Sequence, residues 1–224
     1  RSHCARNAIV LWSSACSQRR KIERKALAKQ NIEAFESLQV DAMVVNIGGC
    51  GAFLNDDQHL LKDDEKRSER AHRFANKLKN LSSLLLELDF SAKPLFLPTG
   101  GHLSGFLPFA QCSEPSNDPR KLLLSDGVIC RKMKHAGQCC GSVGIYHLIQ
   151  PDMSTKILKR KMESIKETKA ATIVTVKSGC FLQMKLGVEQ EGLANEVRVV
   201  HLADFLLEAM EHEEDNHQSV FIKS

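Results

Sequence analysis

The sequence predicts an α/β fold made of two duplicated strand–helix cysteine-rich modules with mainly parallel sheets. Three observations lead there. Apolar, β-branched runs alternate with amphipathic helical stretches, the pattern of layered strand–crossover–strand units. Asp41-Ala42-Met43-Val44-Val45-Asn46-Ile47-Gly48-Gly49-Cys50 is echoed by Ala171-Thr172-Ile173-Val174-Thr175-Val176-Lys177-Ser178-Gly179-Cys180, which points to duplication. Each copy ends in Gly-Cys at the carboxyl end of a strand, where open α/β sheets bind ligands. The helix that follows turns its positive dipole end towards the cysteine and favours a thiolate there.

The elements follow in order. Ile22, Leu27, Ile32, Phe35 and Leu38 recur near helical spacing and predict a helix over 21–38. Val40 to Ile47 is β-branched and apolar, a buried strand that ends in the turn Gly48-Gly49-Cys50-Gly51. Residues 64–88 read as helix, in one piece or two, and Pro94 to Leu97 as a short strand. Gly, Pro, Ser and Asn make 98–118 loop-like. Helices are expected over 119–125 and 151–168, the latter with Pro151 in its first turn. Ala171 to Val176 is a strand, 181–191 a helix, Val197 to Val200 a strand and 202–211 a helix. The first module, in its C-terminal part, takes residues 1–90 and the second 91–211; the polar tail 212–224 is expected to fray.

With 224 residues, 42% of them hydrophobic, the chain can bury real cores without disulfide staples. Its net charge of +4, from 31 basic and 27 acidic residues, is interspersed, with nothing longer than Arg19-Arg20-Lys21. One Trp and one Tyr leave little for base stacking, which argues against nucleic acid as a partner. No run of about 18 apolar residues exists, so no membrane span is expected. The opening Arg1-Ser2-His3-Cys4 has no Met and no signal-peptide pattern, and the chain reads as a cytoplasmic fragment. Eight cysteines in such a chain point to metal or redox sites before disulfides.

Cys139 and Cys140 stand side by side before Gly141. A disulfide between neighbours strains the intervening peptide, whereas two thiolates at a glycine-bounded turn can grip one metal cluster, and thiolates are the usual ligands of iron–sulfur clusters.

At this point the residues resemble a known family. Met133-Lys134-His135-Ala136, Cys139-Cys140-Gly141-Ser142, Gly144-Ile145-Tyr146, Gln150-Pro151-Asp152-Met153-Ser154, Gly179-Cys180-Phe181-Leu182-Gln183 and His201-Leu202-Ala203-Asp204 resemble the last cysteine-rich module of glycolate oxidase iron–sulfur subunits. Asn31-Ile32-Glu33-Ala34-Phe35, Val44-Val45-Asn46 and Gly49-Cys50-Gly51-Ala52 resemble the end of the preceding module. Such modules are related to those found in heterodisulfide reductase. The resemblance implies an iron–sulfur cluster, of the 4Fe–4S type, with Cys139, Cys140 and Cys180 as metal ligands and Cys50 as a cofactor ligand of the first module. It implies an electron-transfer subunit and no catalytic residue of its own. Its partner would be a flavoprotein subunit that oxidises glycolate or a related 2-hydroxy acid. It also implies peripheral association with the inner face of the cell membrane through the complex.

The sequence departs from the family in two places. Gly101-His102-Leu103 stands where the family has Cys-His-Leu, so an early ligand is missing, and Cys112 nearby has the wrong context. The first module lacks its Cys-Cys-Gly, and Val10-Leu11-Trp12-Ser13-Ser14-Ala15-Cys16-Ser17-Gln18-Arg19-Arg20 occupies its place. Back-translated with suitable codons and read one base later, this stretch becomes Cys-Cys-Gly-Pro-Leu-His-Ala-His-Ser-Gly. The family reads Cys-Cys-Gly-Ala-Leu-His-Ala-His-Ser-Gly. Residues 1–20 are accordingly expected to be out of frame, which the coding DNA would test.

Other features have plainer readings. Cys4, Cys16, Cys112 and Cys130 fit no zinc spacing. His135 and His147 lie close enough in sequence to the pair to reach it, but lone histidines are more often surface or core residues. His201 is expected to pack a helix end and His102 to be a remnant of Cys-His-Leu. Asp56-Asp57 and Asp63-Asp64-Glu65 read as caps and dipole partners. Gly141-Ser142-Val143-Gly144 lacks the spacing of a phosphate loop and reads as a turn that brings amides to the sulfurs. Two competing classes remain: a non-redox α/β scaffold or interaction module with vestigial cysteines, and a thiol–disulfide enzyme using Cys139 and Cys140.

Overall fold

A computed structural model describes residues 18–46, 48–90, 104–106, 118–125, 129–130, 133–142 and 146–210. The expectations for residues 1–17, Pro94 to Leu97, Gly101 to Leu103, Cys112 and the tail lie outside these residues. The chain divides into two compact units, Arg1–Leu81 and Ser82–Ser224.

In the first unit, α1 (Gln18–Glu36), β1 (Met43–Val45), α2 (Gly48–Leu60), α3 (Ser68–Lys77) and β2 (Leu78–Asn80) follow in order. β1 and β2 pair in parallel, Met43 opposite Leu78 and Val45 opposite Asn80. Ala28, Ile32, Met43, Leu54, Leu61, Ala71 and Phe74 form the core, and Phe35 leans on Phe74 with ring centroids 5.8 Å apart. Arg70 grips both carboxylate oxygens of Glu36 through Nε and so joins α3 to the end of α1. β2 interrupts the helix expected over 64–88. Leu78-Lys79-Asn80 lies alongside β1, and this pairing outweighs its local helical preference.

The second unit holds α4 (Leu81–Glu87), β3 (Ser104–Phe106), α5 (Asp118–Ser125), β4 (Ile129–Cys130), α6 (Tyr146–Ile149), α7 (Pro151–Thr168), β5 (Thr172–Thr175), α8 (Ser178–Gln190) and β6 (Arg198–His201), with residues 202–210 helical. All four strands run parallel in the order β4-β3-β5-β6. β5 lies inside the sheet, and all four of its residues are buried, as a parallel strand covered on both faces requires. β3 falls in the stretch expected to be loop. Its Ser-Gly-Phe sequence has little strand preference, but it is paired on both sides, by β4 and β5. The α/β class, with parallel pairing throughout, is as the sequence predicts.

α7 begins with Pro151 at its start and Asp152 in its first turn, where a missing N–H and a negative charge are both favourable. Leu158, Met162 and Ile165 recur at helical spacing and bury that face among Met133, Ile173, Met184 and Val188. The helix stops at Lys169, which takes a left-handed conformation (φ 53°) with its N–H on Lys166 O. α8 comes very close to α7 at Gly187, where a Cβ would meet Met162 Sδ at 2.7 Å. On the other side, Leu122, Leu123, Val174, Val200, Leu202, Phe205 and Leu206 form a second core.

The internal echo is structural. β1 leads into a 13-residue helix, α2, with Cys50 as its third residue. β5 leads into a 13-residue helix, α8, with Cys180 as its third residue.

Candidate metal centre

In the second unit the sheet order reverses between β3 and β5, and at such a switch point the carboxyl ends of the strands flank a crevice. β5 ends at Thr175 and α8 starts at Ser178, so Cys180 lies in the first turn of the helix, beside the sheet's carboxyl edge. A turn over 133–142 brings Cys139 and Cys140 to the same place. Cys140 Sγ lies 3.3 Å from Cys180 Sγ, and both side chains are buried. Cys139 is half-buried, and its Sγ accepts a hydrogen bond from the Gly141 N–H at 3.3 Å.

Glycines allow this packing. Gly141 has φ 92°, and a Cβ there would stand 2.6 Å from Ser154 O. A Cβ on Gly179 would stand 2.6 Å from Ser142 Oγ. The two glycines that flank the cysteines therefore let the turn, α7 and α8 close on one another.

Polar side chains behind the turn hold it in place. Gln183 Nε2 donates to Ser154 Oγ at 3.0 Å, and Ser154 Oγ donates to Gly141 O at 2.9 Å. Lys161 Nζ donates to Ala136 O at 3.0 Å and to Gln138 O at 2.9 Å. All three side chains are buried.

The thiols differ in their electrostatics. The Cys139 contact pulls the Cys140 thiol down, but the Cys180 sulfur and burial outweigh it together and push Cys140 up to about 11. Cys180 moves the other way: the hydrogen bond from Cys140 lowers it more than burial raises it. Burial pushes Lys161 down to about 8, against the pull of Cys140, Cys180 and Cys139.

The structure thus brings Cys140 and Cys180 side by side, with Cys139 next to Cys140 in the chain. Cys50 lies in the first unit, half-buried, its thiol raised by burial, and among the described residues of that unit it has no cysteine neighbour. Cys130 sits on the edge strand β4 and packs against the second core. His147 Nδ1 is 3.4 Å from Ser142 O, while His135 is exposed, with φ 55°. His201 Nδ1 accepts from the Ala203 N–H at 3.3 Å, the helix-end role expected of it. Asp56 and Asp57 lie late in α2 and cannot be caps: Asp56 pairs with Arg24 at 2.6 Å, and Asp57 is buried. Lys161 was not anticipated. Its signal was available, since it shares the apolar face of α7 with Leu158, Met162 and Ile165.

Among the described residues no three His, Cys, Asp or Glu side chains converge on a position for a single metal ion. No helix there is long and apolar enough to cross a membrane.

Comparison with known proteins agrees with this architecture. The cysteine-rich domain (CCG) family matches residues 13–55 and 106–185, more than half of the chain, in two segments that contain the two Gly-Cys pairs. The chain belongs to the cysteine-rich domain family. Among curated relatives, a probable glycolate oxidase iron–sulfur subunit of Bacillus subtilis (strain 168) is 51% identical over 84% of this chain and 43% of its own length. Lactate utilization protein A 2 of Bacillus mycoides (strain KBAB4) is 27% identical over 81% of this chain and 75% of its own. Lactate utilization protein A of an Exiguobacterium species is 25% identical, over 84% and 77%. The chain therefore spans less than half the length of its glycolate oxidase relative.

Proposed function

We propose that this chain is part of an iron–sulfur electron-transfer subunit in which Cys139, Cys140 and Cys180 ligate a cluster of the 4Fe–4S type. The observation that carries the reading is the meeting of Cys140 and Cys180, with Cys139 adjacent, at the carboxyl edge of the sheet. A cluster does not require its thiolates to converge on one point, because each binds its own iron atom. The donor set fits: thiols from two elements, an amide N–H on one sulfur and a buried cation nearby. The bound cluster would supply one-electron redox chemistry. The Gly141 N–H would stabilise charge on the Cys139 sulfur, and the Gln183–Ser154–Gly141 chain would keep the turn in register.

Three thiolates are one fewer than the usual four, and Gly101 stands where the family has the other cysteine. The fourth position is left to a group from outside these residues. Likeness to a glycolate oxidase subunit supports membership of a larger complex, and the partner we propose is a flavoprotein that would oxidise glycolate or another 2-hydroxy acid. Electrons would pass through this subunit to an acceptor, in the cytoplasm or at the inner face of the cell membrane. Cys50, at the equivalent point of the first unit, would be a cofactor ligand of that module.

Anaerobic reconstitution with iron and sulfide tests the assignment. Bound iron, acid-labile sulfide and visible thiolate-to-iron absorbance are expected in the unaltered chain. They should be lost in Cys139→Ser, Cys140→Ser and Cys180→Ser. An unaltered, folded chain that takes up no iron would leave the scaffold reading with vestigial cysteines.

A further inference from the structure

Lys161 is a cation in an apolar place. It is 1% exposed in the middle of α7, between Leu158, Met162 and Ile165. A buried ammonium is costly to desolvate unless a charge and hydrogen bonds offset it. Among the described residues no carboxylate pairs with it, and its Nζ donates to the carbonyls of Ala136 and Gln138. Those carbonyls belong to the turn that leads directly into Cys139. A neutral donor would satisfy two carbonyls at a smaller desolvation cost, so the formal charge needs its own explanation. Burial lowers Lys161 to about 8, and thiolate charge at Cys140, Cys180 or Cys139 would work against that and favour its protonated form.

We infer that Lys161 is a positioning residue of the thiol site: its ammonium ties the 136–138 turn to α7 and is the fixed positive charge that offsets the thiolate-ligated group. The inference rests on the iron–sulfur reading of Cys139, Cys140 and Cys180. A fixed cation favours the more negative, reduced state of a neighbouring redox group, so its removal makes reduction harder.

The test is potentiometric titration of the reconstituted unaltered chain, Lys161→Arg, Lys161→Met and Lys161→Gln. Gln keeps a donor for the turn and removes the charge, which separates tethering from electrostatics; it also carries the comparison if Met fails to fold. The neutral variants should show about a tenfold less favourable one-electron reduction, a shift of about 59 mV to more negative potential. Arg should stay near the unaltered value. Loading of Arg without loading of Gln or Met supports the same role. The inference is overturned if Gln or Met loads with an unchanged potential, if Arg shifts as far as Gln, or if none of the three loads. Those results leave the iron–sulfur reading standing, whereas an unaltered chain without iron removes both.

Discussion

Cys140 Sγ stands 3.3 Å from Cys180 Sγ, although forty residues separate them in sequence. Cys139, the covalent neighbour of Cys140, is the poorer disulfide partner because a vicinal bond strains the peptide between them. The two buried thiols are also unequal, Cys180 lowered by the hydrogen bond from Cys140 and Cys140 pushed up to about 11. In the metal-free chain, Cys180 is expected to ionise and react before Cys140. With hydrogen peroxide, the Cys180 thiolate should go through a sulfenic acid and close on Cys140, forming one S–S bond as the peroxide is reduced to two waters. Peptide mapping after alkylation should show Cys140 linked to Cys180. A dominant link between Cys139 and Cys140 would contradict the geometry.

At Gly179 one side-chain oxygen stands close to where a Cβ would go. A Cβ there would stand 2.6 Å from Ser142 Oγ but 3.6 Å from Ser142 Cβ. Gly179→Ala is expected to lower stability in urea by about 1–3 kcal/mol, the usual cost of overpacking. Ser142→Ala removes the hydroxyl and should recover most of that loss in the double variant. Gly141→Ala should not be rescued in this way, because its obstacle is the Ser154 carbonyl and its φ is 92°. Additive losses for Gly179→Ala and Ser142→Ala in a double-mutant cycle would mean that the two side chains do not meet.

Ser154 is the middle of a buried chain, accepting from Gln183 Nε2 and donating to Gly141 O. Ser154→Ala leaves one donor and one acceptor without a partner, at an expected cost of about 1–3 kcal/mol for each group left unsatisfied. Gln183→Leu should cost less in the Ser154→Ala background than alone, since its partner has already gone. Urea unfolding of the two single variants and the double variant measures this. Equal losses for Gln183→Leu in both backgrounds would dissolve the chain into independent contacts.

How much could be read in advance depended on whether the cause was local. α7 was legible from Pro151 to Thr168, because its start signal, apolar spacing and length all lie within one segment. Cys180 was legible because a β-branched run, a Gly-Cys and a helical pattern follow in sequence. β2 and β3 were not, since Leu78-Lys79-Asn80 and Ser104-Gly105-Phe106 become strands only through neighbours distant in the chain. Lys161, Ser154 and Gln183 were hidden for a related reason: each acquires its role where α7 meets the 133–142 turn or α8. A lysine on the apolar face of α7 was the one local hint. Asp57 was misread as a cap because Gly48-Gly49-Cys50-Gly51 was read as a turn, whereas α2 already starts at Gly48, nine residues earlier.

Asp57 should make the first unit lose stability as mildly acidic solution is brought to neutrality. It is 4% exposed, and burial pushes its carboxyl up to about 7, with Arg24 pulling it down and Asp56 raising it. In the unfolded chain it titrates near 3.8. Between those values the folded state holds the extra proton, so stability falls as pH rises. The contribution is fully present below the unfolded value and is lost as pH rises through about 7. At about 1.4 kcal/mol per pKa unit, the total is of the order of a few kcal/mol. Asp57→Asn cannot titrate and is expected to flatten the fall in first-unit stability between these two values. Hydrogen exchange of the α2 and α3 amides across this range, corrected for intrinsic rates, would measure it. An unchanged slope in Asp57→Asn would show that a different group controls the response.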